Sequence, residues 1–289
     1  MTGIAAAAAG RFTFPGSPLS VNRMGYGAMQ LAGPHVFGPP ADPEECRAVL
    51  RGAIELGIDH IDTSDFYGPY VTNDLIQETL HPYKAGLTLV TKIGAYRDDK
   101  GGWRPDLSAE FLRKSVEDNL TRLKLEQIPI VNLRVFGPQD EVTAPMQEMR
   151  RMQDEGLIAH IGLSTADADQ IQAARDIAPI VCVQNLYNLA HRADDSLIDA
   201  LAEEGIAYVP YFPLGGFAPL QADELRAVAE ETGQSHQSVA LAWLLQRSPN
   251  ILLIPGTSRR AHLRENVKAA GLKISDAHLR RLNAIGAMA

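Results

Sequence analysis

Cysteine is nearly missing from this chain. Cys46 and Cys182 are the two in 289 residues, far apart and without metal-ligand spacing. That excludes a disulfide framework and fits a reducing compartment. Long apolar runs are missing too: no stretch of about 18 apolar residues occurs, so no membrane span is expected. Positive charge is in deficit. With 27 Lys and Arg against 35 Asp and Glu, the formal net charge is −8, which argues against a general nucleic-acid surface. No Gly-x-Gly-x-x-Gly follows the first strand-like run, and Gly25-Tyr-Gly27 is too short to replace it, so an open dinucleotide-binding sheet is disfavoured. No His/Cys/Asp cluster has metal spacing, and His60 and His191 stand singly. The alanine run Ala5 to Ala9 lacks the basic start and the length of a signal peptide. Residues 1–10 are expected to be a flexible leader, and the chain to be cytoplasmic.

What the chain does contain is an ordinary globular composition, 45% hydrophobic and 21% charged, long enough for a large core. Eight apolar runs suggest strands, at 22–29, 57–62, 87–93, 128–136, 157–163, 180–184, 206–210 and 251–255. Most are continuous rather than alternating, as in strands buried on both faces. Helical patterns fall between them, at 43–56, 108–123, 145–155 and 196–204, the last two stopped by Gly156 and Gly205. Strand–helix alternation repeated this often predicts right-handed crossovers, a parallel sheet and a (β/α)8 TIM barrel. Two segments look additional. Residues 11–20 alternate around a turn, as a hairpin plugging the barrel bottom would. Residues 235–246 form an amphipathic helix ahead of the last strand, with its apolar face toward the core. Residues 11–289 are expected to be one domain, and the chain a monomer, since no helix shows an unexplained apolar face.

Asp62, Tyr67 and Lys92 stand just past apolar runs, in His60-Ile-Asp-Thr-Ser-Asp-Phe-Tyr-Gly68 and Leu87-Thr-Leu-Val-Thr-Lys92. The C-terminal ends of strands are where barrel enzymes place their chemistry. An acid, a phenol and an amine are the parts needed to protonate a carbonyl oxygen. A free tyrosine titrates near ~10; a neighbouring ammonium favours its phenolate, and a carboxylate keeps that ammonium charged and placed. The expectation is a tyrosine tuned down toward the working pH.

From about Leu19 to Asn283 the chain resembles the aldo-keto reductase family. The resemblance rests on Gly25-Tyr-Gly27-Ala28-Met29, on Asp62 to Gly68, on Thr91-Lys92, and on Ile161-Gly-Leu-Ser164. It continues through Val183-Gln-Asn-Leu-Tyr-Asn188 and Tyr211-Phe-Pro-Leu-Gly215, and ends at Ile254-Pro-Gly-Thr257 with Arg264-Glu-Asn266. It implies a (β/α)8 barrel with extra C-terminal helices and NADPH-dependent reduction of small aldehydes or ketones, reversible in principle. By the same resemblance Tyr67 is the proton donor, Lys92 lowers its pKa and Asp62 holds Lys92. Ser164 and Gln184 bind the nicotinamide carboxamide and Tyr211 stacks on the ring. Leu214, Gly215 and Gly216 line the pyrophosphate. Gly27, Ala28, Met29, Asp62, Thr165, Phe212, Pro213, Pro255 and Gly256 complete the cofactor contacts. Thr257, Ser258, Arg259 and Arg264 are candidate ligands of the adenosine 2′-phosphate, with Glu265 and Asn266 near the adenine. A helix N-terminus with hydroxyls and guanidinium groups suits an anion. Arg260 and His262 are read as pointing to solvent.

The chain departs from the family at the fourth strand, where Arg134 falls on the position of the usual histidine; some bacterial members, including ones resembling pyridoxal reductases, look similar here. An arginine there is a catalytic candidate. It is always charged and offers a fork of donors. It can stabilise negative charge developing on the oxygen, lower the tyrosine pKa further, or bind an anionic substrate. The bland alternative is a buried ion pair with Asp62 or Asp65. Phe66, Tyr70, Trp103, Phe136 and Phe217 are candidates for an apolar substrate pocket. Loops at 96–104 and 217–222 are too free in sequence to read. Two rivals stay open: a physiological alcohol dehydrogenase acting on a pyridoxine-like or polycyclic alcohol, and a slow cofactor-sensing binding protein.

Overall fold

The computed structural model describes residues 5–215 and 222–286. The chain opens with an antiparallel hairpin of β1 (Arg11–Thr13) and β2 (Ser20–Asn22). Then come β3 (Tyr26–Gly27), β4 (His60–Asp62), β5 (Thr88–Ile93), and a small antiparallel pair, β6 (Ala95–Arg97) with β7 (Trp103–Pro105). The strands β8 (Ile128–Arg134), β9 (Ile158–Ser164), β10 (Ile180–Gln184) and β11 (Ala207–Tyr208) follow. The parallel sheet runs in the order β11-β10-β9-β8-β5-β4-β3.

Residues 251–256 close that sheet on itself. Parallel bridges join Tyr208 to Ile251, Met24 to Leu253 and Gly27 to Gly256, and Gly25 N donates to Leu253 O at 2.8 Å. The approach is so close that a Cβ on Gly27 would lie 2.5 Å from Ile254 O, so the position accepts glycine alone. The result is a (β/α)8 barrel. Its strands are buried on both faces, which is why they read as unbroken apolar runs.

Ten α-helices are described: α1 (Pro43–Glu55), α2 (Val71–Leu80), α3 (Ala109–Leu123), α4 (Thr143–Asp154), α5 (Ala168–Arg175), α6 (Asp195–Glu203), α7 (Asp223–Thr232), α8 (His236–Arg247), α9 (Arg260–Lys268) and α10 (Asp276–Asn283). Side-chain caps start several of them, including Asp42 on Glu45 N at 3.0 Å and Ser108 on Phe111 N at 3.4 Å. Helix α8 is buried nearly all round, from Val239 to Leu245, and Trp243 Nε1 donates to Asn283 Oδ1 of α10 at 2.8 Å. It faces core, as its pattern suggested. No helix among the described residues is long and apolar enough to cross a membrane.

The hairpin does plug the barrel: Phe14 and Val21 pack among Val90, Ile130, Val209 and Ile254 at its bottom. Other expectations are corrected. The first strand is not 22–29. Asn22 belongs to the hairpin, where Asp59 Oδ1 accepts from its amide at 2.7 Å, and Ala28–Leu31 turns into a 3-10 helix. The leader is not free over Ala6–Ala9, a 3-10 turn whose Ala6 is fully buried and donates from its amide to Leu56 O at 2.9 Å. Within 96–104, β6 and β7 are pinned by Arg97. Its guanidinium donates to Val36 O at 2.6 Å and His35 O at 3.0 Å, and stacks on Trp103 at 4.2 Å. His60 is buried with its ring where a Gly25 Cβ would otherwise be, 2.1 Å from its Nε2. His191 sits in a turn with Asn188.

Candidate active site

Strands β4 and β5 are parallel neighbours, so Asp62 and Lys92 reach the same rim. Lys92 Nζ donates to Asp62 Oδ1 at 2.6 Å and to Thr63 O at 2.9 Å. From the end of β10, Gln184 Nε2 donates to Asp62 Oδ2 at 2.9 Å. The Lys92 and Asp62 side chains are only 4% and 5% exposed, so each charge depends on the other. Burial alone pulls the Lys92 ammonium down, but Asp62 and Tyr67 outweigh it and the net shift is upward; the amine stays charged.

Tyr67 sits in the turn after β4, buried, with Lys92 Nζ 5.0 Å from its ring centroid. Burial pushes its pKa up. Lys92 and Arg134 pull it down, and Asp62 pushes it up again. The net direction is above the ordinary value of 10.0. This corrects the expectation of a lowered pKa: removing the phenol from water outweighs the cations nearby. At neutral pH Tyr67 is a neutral phenol with its proton to give.

Tyr67 and Lys92 open onto a cleft of about 590 Å³. Phe66, Trp103 and Phe136 line it together with Arg134. Tyr70 does not; it lies outside the cleft, with the Arg122 guanidinium 3.9 Å from its ring centroid. Phe217 and Gly216 fall outside the described residues. Arg134 ends β8 and makes no ion pair with Asp62 or Asp65 among the described contacts, so the bland alternative does not hold. Instead its Nη1 donates to Thr165 Oγ1 at 3.1 Å and its guanidinium lies 4.9 Å from the Phe136 ring centroid.

The same cleft is lined by Gly27, Met29, Gln184, Tyr211, Phe212, Pro213, Leu214, Pro255 and Gly256. Gly215 follows directly, its amide donating to Phe212 O at 3.0 Å. A second cavity, about 250 Å³, shares Met29 and Gln30 with the first and continues to Ser258 and Arg259. The expected residues thus trace one continuous path. Others are not brought to it. Ala28 is buried in the core, and the Thr257 hydroxyl accepts from Arg259 N at 3.1 Å. Arg260 is tied to Glu45 by its amide and its Nε, both at 3.0 Å, and its side chain is 60% exposed, in keeping with its reading as solvent-pointing. Arg264 lines a separate groove of about 320 Å³ between α1 and α9, with Arg51 and Arg260. Asn266 is buried, and the Glu265 carbonyl accepts from Ser238 Oγ at 3.4 Å. Among the described residues no group of His, Cys, Asp and Glu is placed to hold a metal ion.

The family model described as the aldo/keto reductase family matches residues 23–287. The chain belongs to that family. It is 57% identical over 279 residues to pyridoxine 4-dehydrogenase of Escherichia coli, covering 94% of this chain and 98% of that one. It is 41% identical to an uncharacterized oxidoreductase of Schizosaccharomyces pombe, covering 92% of this chain and 87% of that one. Among solved structures, a thermostable aldo-keto reductase in complex with the inhibitor epalrestat superposes with a TM-score of 0.83 at 27% identity, over 96% of this chain and 99% of that one. As a family member this chain is an oxidoreductase acting on CH–OH and carbonyl groups with NADP(H). The rim fits the cofactor: Ser164 Oγ and Gln184 Oε1 are buried there without partners, a hydroxyl and a carbonyl matching a carboxamide.

Sequence reasoning missed the support beneath this rim. Thr63 Oγ1 donates to Asn73 Oδ1 at 2.8 Å, Asn73 Nδ2 to Asn119 Oδ1 at 2.9 Å, and Thr91 Oγ1 to the same oxygen at 2.7 Å. This network fixes the Tyr67 turn to α2, β5 and α3. Its one signal was amides at core positions of otherwise apolar patterns. Asn185 was also missed; it accepts from Ala166 N at 3.1 Å and donates to Ala166 O at 2.8 Å, holding the turn after Thr165.

Proposed function

We propose that this enzyme interconverts a small aromatic aldehyde and its primary alcohol, with pyridoxal and pyridoxine as the first pair to test. The observation that carries the reading is the neutral Tyr67 phenol beside the buried Asp62–Lys92 pair at the floor of an aromatic-walled cleft. The identity of 57% to a pyridoxine 4-dehydrogenase supports the choice of pair.

When bound, NADP(H) supplies or accepts the hydride at the carbonyl carbon. In reduction, Tyr67 Oη gives its proton to the carbonyl oxygen; in oxidation it takes one from the alcohol. The Lys92 ammonium lies where phenolate charge develops, and Asp62 keeps it there, so the site is pre-set for that charge. Gln184 donates from its amide to Asp62, and its free carbonyl with the Ser164 hydroxyl would hold the nicotinamide carboxamide. Tyr211 would offer the stacking face, Leu214 and Gly215 would line the pyrophosphate, and Ser258 and Arg259 would receive the 2′-phosphate. The apolar walls exclude water from the reacting atoms. We read the enzyme as cytoplasmic, since its two cysteines suit a reducing compartment, and as a monomer, since no helix pattern shows an unexplained apolar face.

The test is initial rates in both directions, with pyridoxine plus NADP+ and pyridoxal plus NADPH, alongside benzaldehyde and benzyl alcohol. Turnover of an aldehyde–alcohol pair is expected. Tight NADPH binding without turnover of any of them would contradict the reading and favour a cofactor-sensing protein.

A further inference from the structure

Thr165 has φ of 63°, in the left-handed region where a β-branched side chain is strained. Its amide donates to Gln184 O at 2.9 Å, so the turn is fixed from the cofactor rim. Its hydroxyl accepts from Arg134 Nη1 at 3.1 Å. A strained residue therefore clamps a guanidinium. That guanidinium has no counter-charge: among the described contacts Arg134 forms no ion pair, and its Nε is buried without a partner. The Phe136 ring lies 4.9 Å from it, and Phe66 meets Trp103 edge-on at 5.4 Å across the same cleft. A fixed cation in a half-dry aromatic slot is expensive unless an anion completes it. Arg134 and Tyr67 line the same cleft, so an anion held by the guanidinium shares that cleft with the carbonyl that Tyr67 protonates.

We propose that Arg134, held by Thr165, selects aromatic carbonyl substrates carrying an anionic oxygen next to the carbonyl. A planar donor fork suits two oxygens side by side, which a point charge or an imidazole serves less well. The oxygen is either a ring oxide on the adjacent carbon or a carboxylate on the carbonyl carbon; both present the same pair to the fork. Aromatic walls take the ring and the fork takes the oxygens. Thr165 is then a positioning residue, and its strain has a use. This inference rests on the reductase reading of the site.

The experiment compares kcat/KM with NADPH, at a pH above the phenol pKa of 2-hydroxybenzaldehyde so that its ring oxygen is anionic, for 2-hydroxybenzaldehyde, 2-methoxybenzaldehyde, phenylglyoxylate and benzaldehyde, in the wild type and in Arg134→Met, Thr165→Val and Thr165→Ser. The wild type is expected to prefer the 2-hydroxy over the 2-methoxy compound, or phenylglyoxylate over benzaldehyde, by about tenfold or more, the scale of one charge-assisted hydrogen bond. Which ratio is large identifies the source of the oxygen. Arg134→Met should bring both ratios near one with NADPH affinity kept. Thr165→Val should lower the ratio, and Thr165→Ser, which keeps the hydroxyl, should restore it. Intrinsic reactivity cancels between enzyme forms, so a ratio that survives in Arg134→Met overturns the proposal, as does its absence in the wild type. Benzaldehyde turnover without any preference would sink this inference alone. No turnover of any of the four, with NADPH bound, would sink the reductase reading beneath it.

Discussion

Asp65 lies two residues before Tyr67, buried, with no cation paired to it among the described contacts. Burial raises its carboxyl from 3.8 to about 7, helped by Asp118 and opposed by the Ser64 hydroxyl. The native state thus holds a proton that the unfolded chain releases near pH 4. Stability from this group is complete at low pH and falls as pH climbs from about 4 to 7, by a few kcal/mol on the order of magnitude. Asp65→Asn removes the dependence. Its Tm should exceed the wild type's near pH ~8 and converge with it near pH ~4; parallel curves would contradict the assignment. Asp62, Tyr67 and Lys92 were legible because strand-end positions in apolar runs mark a barrel rim. The direction of the Tyr67 shift was not, because it depends on how completely the turn is buried, and no local pattern encodes that. Arg134 was seen as unusual, but its partner Thr165 lies 31 residues on, across a strand pairing.

At the level of elements, helices with caps and glycine stops were legible. Helix α5 was missed although Asp167 and Gln170 form a reciprocal capping box, because eight residues carry too little periodicity. Helix α2 starts from Tyr70 in the left-handed region with no side-chain cap, so it gives no start signal at all. It is held by tertiary contacts through Asn73 and Thr72 instead. Asp167→Ala should destabilise by about 1 kcal/mol in urea unfolding. The hairpin matters more. Phe14 is 3% exposed at the barrel bottom, and Phe14→Ala should cost roughly 3–5 kcal/mol. A loss below about 1 kcal/mol would mean that the plug is not part of the core.

Over the whole molecule, the barrel brings rim residues from Gly27 to Arg259 into adjoining cavities, with Asp62, Tyr67 and Lys92 at one end and Ser258 and Arg259 at the other. The family resemblance pointed to Ser258, Arg259 and Arg264 together, and the packing of α9 separates them. Arg260 is held by Glu45 and Arg264 faces an outer groove, contacts that depend on how α9 packs on α1. Arg259→Ala should therefore weaken NADPH by roughly tenfold or more and leave NADH nearly unchanged, as a phosphate contact requires; equal losses in equilibrium titrations would misplace the phosphate.

If Tyr67 carries the proton, the barrel and the cofactor site should stand without it. Single-turnover oxidation of bound NADPH by an aromatic aldehyde, in the wild type and in Tyr67→Phe, tests it most directly. A rate lower by about 10²-fold or more is expected in the variant, with NADPH affinity within a few-fold. An unchanged single-turnover rate would contradict it.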